Sequence, residues 1–129
     1  MRRLYWYATA VVLTHAAVIF WHLDLLAKVN PALKMDQVPL LAGLANIIPL
    51  IALVSLWIRF PKLGGSLLLF LVVPLLIGGY SHFLSAGSDN VFRMAPGELT
   101  AGFRISAVVL WVLELWGCWL GVEIIRRPV

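Results

Sequence analysis

Three histidines, His15, His22 and His82, and one glutamate, Glu114, stand within long apolar stretches of the sequence. An ionisable group in hydrocarbon is costly, so each of them needs a partner or a task. His15 and His22 are seven residues apart, which on a helix puts them on one face but about 10 Å apart along its axis. One helix therefore cannot bring both to one metal ion. His22 and His82, each toward the same end of the bundle, can instead meet from two helices. Such a pair suits a haem, a metal ion completed by Asp89 or Asp36, or a quinone. The plainer reading is two interfacial histidines near helix ends.

Glu114 shares a helical face with Ala107, Gly117, Cys118 and Gly121, and a stripe of small side chains should look into a bundle. At the same depth lie His15 and Asn46, so the three form a polar interior. In one reading Glu114 is a neutral acid bonded to His15, to Asn46 or to a carbonyl freed by Pro49. In the other it handles protons or substrate, as in a small proton-coupled transporter. Asp24 lies about 160° around the helix from His22 and four residues before Lys28, an order that favours a helical ion pair. Cys118 is the single cysteine and reads as a packing residue. There is no G-x-S-x-G, H-E-x-x-H, C-x-x-C or phosphate-cradling glycine loop, so no catalytic signature supports an enzyme.

The elements that position these groups follow from composition. Of 129 residues, 62% are hydrophobic and 12% charged, far from the roughly 25% charged of a soluble domain. Apolar stretches at about residues 4–27, 38–58, 63–84 and 104–125 each approach the ~20 residues that cross a bilayer. They use up nearly the whole chain, so residues 1–129 read as one all-α transmembrane domain, an antiparallel up-down four-helix bundle. The first stretch follows Met1-Arg2-Arg3 as a secretory signal would. From Leu4 to Ala27, however, it exceeds the roughly 7–15 residues of a signal core and shows no cleavage pattern.

The net charge of +4 forms no basic face, which argues against nucleic acid; the basic residues sit at the ends of apolar segments. Arg2, Arg3, Arg59, Lys62, Arg126 and Arg127 fall on one side and Lys28, Lys34, Arg93 and Arg104 on the other, six against four. That split places both termini in the cytoplasm. Trp6, Trp57 and Trp119 then anchor the inner interface and Trp21 the outer one. Asn30-Pro31 and Pro39 bracket the first connection, Phe60-Pro61-Lys62 makes a tight second one, and residues 85–103 form a long outer third. In that loop Ser88, Asp89, Asn90, Arg93 and Glu98, with Val91, Phe92 and Met94, form either a lid or a membrane-lying segment. Pro49 and Pro74 should kink the second and third helices. Gly117 and Gly121 give a G-x-x-x-G spacing that reads as packing within the bundle rather than a dimer seam.

The four-span plan, Trp21-His22 late in the first helix, and Leu56-Trp57-Ile58-Arg59-Phe60-Pro61-Lys62-Leu63-Gly64-Gly65 together resemble the DoxX-like small bacterial membrane proteins, with Leu23 rather than glycine after the histidine. The resemblance covers the chain as topology and assigns no residue a role. It implies a place beside quinone-linked redox enzymes in a bacterial inner membrane. Small size and the lack of catalytic motifs point the same way, to an accessory subunit of a larger membrane assembly, with a membrane-protein partner or further copies of itself. A haem-, metal- or quinone-binding module built on His22 and His82, and a transporter built on Glu114, are the alternatives.

Overall fold

A computed structural model describes residues 1–30 and 33–128. The expected break at Pro31 and the terminal Val129 lie outside that set. The described chain is all-helical, with no strand among the described residues. Helix α1 is Arg2–Val29, α2 is Val38–Trp57, α3 is Pro61–Leu84 and α4 is Thr100–Arg126. A short 3-10 turn, Met35–Gln37, leads into α2. All four helices are long and apolar enough to cross a membrane, and their outward faces are apolar, with Leu40, Leu44, Ile47, Leu76, Ile77 and Leu84 all exposed. In a bilayer only such faces meet lipid without loss, because helices satisfy their own backbone groups.

The connection between α2 and α3 is closed by its own hydrogen bonds. Phe60 N–H donates to Ser55 O at 2.8 Å and Arg59 N–H to Leu56 O at 3.4 Å, the paired six-to-one and five-to-two bonds that terminate a helix on a left-handed residue. Arg59 is that residue, at φ 74°, a conformation that costs a non-glycine residue about 1–2 kcal/mol. Pro61 then opens α3, where its missing N–H is no loss.

Helix α1 packs on α2 and α4; the first half of α3 packs on both α2 and α4, whereas Val72–Gly79 packs chiefly on α4. The G-x-x-x-G pair of α4 explains how α3 comes so close. A Cβ on Gly121 would stand 2.7 Å from Gly65 O, and one on Gly117 would run into Leu71 Cδ1. Both glycines are therefore spent inside the bundle, as their spacing led us to expect. One apolar cluster, including Ala8, Val12, Leu56, Leu68 and Leu120, fills one end; Leu25, Val91, Phe103 and Ala107 fill the other.

The two central prolines act differently. Helix α2 runs on through Pro49, whereas α3 tightens to a 3-10 turn at Leu69–Leu71 just before Pro74, where Pro74 deprives Phe70 of its acceptor role in the ladder. Helix α4 begins a turn earlier than its hydropathy indicates, at Thr100, whose hydroxyl donates to Ala95 O at 2.8 Å. The third connection is correspondingly shorter than the expected 85–103.

Candidate polar core and membrane-facing cavity

Two polar clusters lie along α1, one at His15 and one at His22. The small-residue face of α4 is indeed its buried face, and it delivers Glu114 to α1. Glu114 Oε1 stands 3.2 Å from His15 Nε2, and His15 Nδ1 stands 3.2 Å from Asn46 Oδ1 of α2. His15 has no solvent exposure and Glu114 only 3%. The three residues proposed from depth alone thus come together in one hydrogen-bonded triad.

In the second cluster, His22 Nε2 and His82 Nε2 lie 3.0 Å apart. The outer nitrogen of each ring is also held. His22 Nδ1 contacts Ser106 Oγ at 2.8 Å, and His82 Nδ1 donates to Asp89 O at 3.0 Å. The Asp89 carboxylate is 3.6 Å from the same nitrogen and accepts from Ser81 Oγ at 3.0 Å. Phe103 lies against both rings, stacked on His22 at 4.9 Å between centroids and edge-on to His82 at 5.1 Å. A backbone device aims His82. Tyr80–Leu84 forms one π turn, in which Ser85 N–H donates to Tyr80 O at 2.8 Å, and such a turn shifts the helical register by one residue at the ring.

No known protein family, no curated protein and no solved structure matches this chain.

The site is therefore judged on its own donors. Two histidines at 3.0 Å are too close to bracket a haem iron, which at about 2 Å per nitrogen would hold them roughly 4 Å apart. Nor does a donor set for a metal ion assemble: among the described residues no group of three or more histidine, cysteine, aspartate or glutamate side chains converges. Asp89 sits on the Nδ1 side of His82, away from the shared point, and Asp36 is exposed in the turn before α2. Haem and metal ions do not fit this arrangement of side chains.

A cavity of about 360 Å³ adjoins both clusters. Leu41 and Ala45 of α2, Pro74 and Ile77 of α3, and Trp111 of α4 supply apolar and aromatic wall, while His22, Ser81, His82, Asp89 and Glu114 supply its polar groups. It lies where the second half of α3 favours α4 over α2. Leu41 and Ile77 are also exposed, so the cavity borders the lipid-facing surface. Glu114 gives one oxygen to His15 and keeps the second without a protein partner among the described residues, on a residue that lines the cavity.

The third connection is a folded cover rather than a loose span. Val91 N–H donates to His82 O at 2.8 Å, Arg104 Nε to Val91 O at 2.8 Å, and Asn90 Nδ2 to Ser85 O at 2.6 Å. Of its expected residues, Asp89, Asn90 and Val91 reach the bundle, whereas Ser88, Arg93 and Glu98 are exposed. Asp24 pairs with Lys28 at 2.8 Å and stays outside the site. Reasoning from sequence did not single out Ser81, Phe103 or Ser106. Serine and phenylalanine in an apolar helix carry no signal until the facing helix is known.

Proposed function

We propose that this chain is a small four-span membrane subunit that binds a lipid-soluble quinone in the cavity between α2 and α3, as part of a larger redox-linked assembly. The observation that carries this reading is an apolar cavity, bordering the lipid face, that ends on a buried carboxyl with one oxygen to spare. A quinone brings a flat apolar ring and carbonyl acceptors. In the reduced form those carbonyls become hydroxyls, and Glu114 can accept from one of them at its second oxygen while the first stays on His15; Trp111 lines the same cavity. The resemblance to DoxX-like proteins supports the same class of ligand and a bacterial inner-membrane setting.

In this reading the helices alternate in direction and both termini face the cytoplasm. Its support is that Trp57 Nε1 donates to Thr9 Oγ1 and Asn46 meets His15, an order of contacts that fits opposite senses for α1 and α2, and that the basic residues divide six to four.

The test uses the full-length protein in lipid nanodiscs, titrated with a short-chain ubiquinone analogue while tryptophan fluorescence is followed. Quenching should saturate at one ligand per chain, and Trp111→Phe should remove much of its amplitude. Linear quenching that matches partition into lipid, or an unchanged response in Trp111→Phe, would rule the reading out.

A further inference from the structure

We infer that the cavity is selective for the reduced, quinol form of its ligand, because its free polar atoms are mostly acceptors and call for a head group that donates hydrogen bonds. The inference rests on the quinone reading above and names the redox form that the site holds.

The donors on the wall are nearly all spent. With both imidazoles neutral, Ser106 Oγ donates to His22 Nδ1, His22 Nε2 to His82 Nε2, and His82 Nδ1 to Asp89 O. Neither ring then keeps a hydrogen or a lone pair for a ligand. Ser81 Oγ gives its hydrogen to the Asp89 carboxylate. Among the described residues no lysine, arginine, asparagine or glutamine lines the cavity.

What is left chiefly accepts. Asn46 Oδ1, at 3.2 Å, calls for the hydrogen on His15 Nδ1, so one hydrogen serves the contact between His15 Nε2 and Glu114 Oε1. Whether that hydrogen sits on the ring or on the acid, Glu114 Oε2 carries none. No buried side-chain nitrogen or oxygen lacks a partner among the described residues, so Oε2, which has none, is reached from open space, and Glu114 lines the cavity. Ala45 lines it too, and Pro49 inside α2 removes the N–H that the Ala45 carbonyl would otherwise accept. The one spare side-chain donor among the described lining residues is Trp111 Nε1–H, set against α3 where a Cβ on Gly79 would stand 3.1 Å from it.

The two redox forms of a quinone meet this wall differently. The oxidised form carries two carbonyls that only accept, so one finds at most the Trp111 donor and the other faces acceptors. In an apolar cavity an unmade hydrogen bond of this kind is costly, because no water stands in for the missing partner. The quinol carries two hydroxyls. Each can donate, one of them to Glu114 Oε2, and each still has lone pairs with which to accept from Trp111. A ligand that fits only when it brings its own hydrogens is held in the state that has them.

Calorimetric titration of the full-length protein in lipid nanodiscs, corrected against empty nanodiscs, tests this with three probes of similar shape. They are a short-chain ubiquinone analogue, its quinol, and the dimethyl ether of that quinol, whose oxygens have no hydrogen to give. The quinol should bind more tightly than the quinone by a factor of about ten or more, and the ether no more tightly than the quinone. By linkage, a tenfold preference raises the midpoint potential of the bound couple by about 30 mV over the same couple in empty nanodiscs. Glu114→Gln, whose amide N–H serves His15 and whose oxygen still accepts, should keep the preference, whereas Glu114→Met removes the acceptor and should bring the two forms within about threefold of each other. Equal binding of quinone and quinol, or an ether that binds as tightly as the quinol, would overturn the selectivity and leave the quinone reading standing. Binding of none of the three beyond partition into lipid would overturn both.

Discussion

Glu114 and His15 share one hydrogen across the 3.2 Å between Oε1 and Nε2, and Asn46 decides how. With its oxygen turned to His15 Nδ1, Asn46 calls for a hydrogen there, which leaves Nε2 to meet the carboxyl. The pair is then either a neutral acid donating to a neutral ring or an imidazolium facing a carboxylate. These differ by one proton displacement with no change in net charge, the form of buried pair least costly in a low-dielectric interior.

Glu114→Gln can donate from its amide to His15 Nε2 and should assemble with a melting profile close to that of the parent. Glu114→Ala leaves the buried ring unpaired and should lose about 1–3 kcal/mol, read from unfolding in mixed detergent micelles. If Gln, Ala and Leu at this position are tolerated equally, the triad does not hold the bundle together. A Gln variant that assembles normally yet loses its biological activity would instead assign Glu114 a proton-handling role.

The close approach of α3 and α4 makes a second, graded expectation. Gly121→Ala sets a methyl against Gly65 O, backbone that has no rotamer to yield, and should cost about 1–3 kcal/mol. Gly117→Ala meets the end of the Leu71 side chain and should cost less. Gly43→Ala meets nothing within 4 Å and should be neutral or stabilising by up to about 1 kcal/mol from helix propensity. Thermal unfolding of the three variants gives the order directly, and equal effects would mean that α3 and α4 are not in contact at Gly65 and Gly121.

Orientation is tested by labelling. In a Cys118→Ala background, Ser88→Cys should react with an impermeant thiol reagent in intact cells, and Pro128→Cys should react only after the cells are opened. The reversed pattern would place both termini outside, and labelling at both positions in intact cells would be incompatible with four spans.

What could be read from sequence here was what depends on one helix at a time. Hydropathy located four spans, helical spacing put Glu114 on its small-residue face, and counting depth matched His15 with Asn46 and Glu114. The pairing of His22 with His82 was also within reach, because both lie a similar distance from the same end of the bundle. What stayed hidden depends on rotation about helix axes and on local backbone register. Ser106 and Phe103 are ordinary residues of an apolar helix until α1 turns His22 toward them, and the π turn at Tyr80–Leu84 has no sequence mark beyond Gly78-Gly79 before it. The cavity was equally invisible, since it arises from where α3 leaves α2.

Gly78 offers a way to close that cavity without disturbing the helices around it. It lines the cavity wall, and the nearest atom to a Cβ built there is His82 Cδ2 at 3.8 Å, an ordinary contact. Gly78→Ala should therefore bind the ubiquinone analogue normally and gain up to about 1 kcal/mol of stability from helix propensity. Gly78→Leu projects a branched side chain from the wall of the cavity, and should reduce binding at least tenfold while unfolding no earlier than the parent. Full binding in the Leu variant would move the ligand to another surface. The same loss of binding in the Ala variant, with stability intact, would mean that the ring packs against the Gly78 backbone itself, deeper than the wall that Leu41 and Ile77 share with lipid.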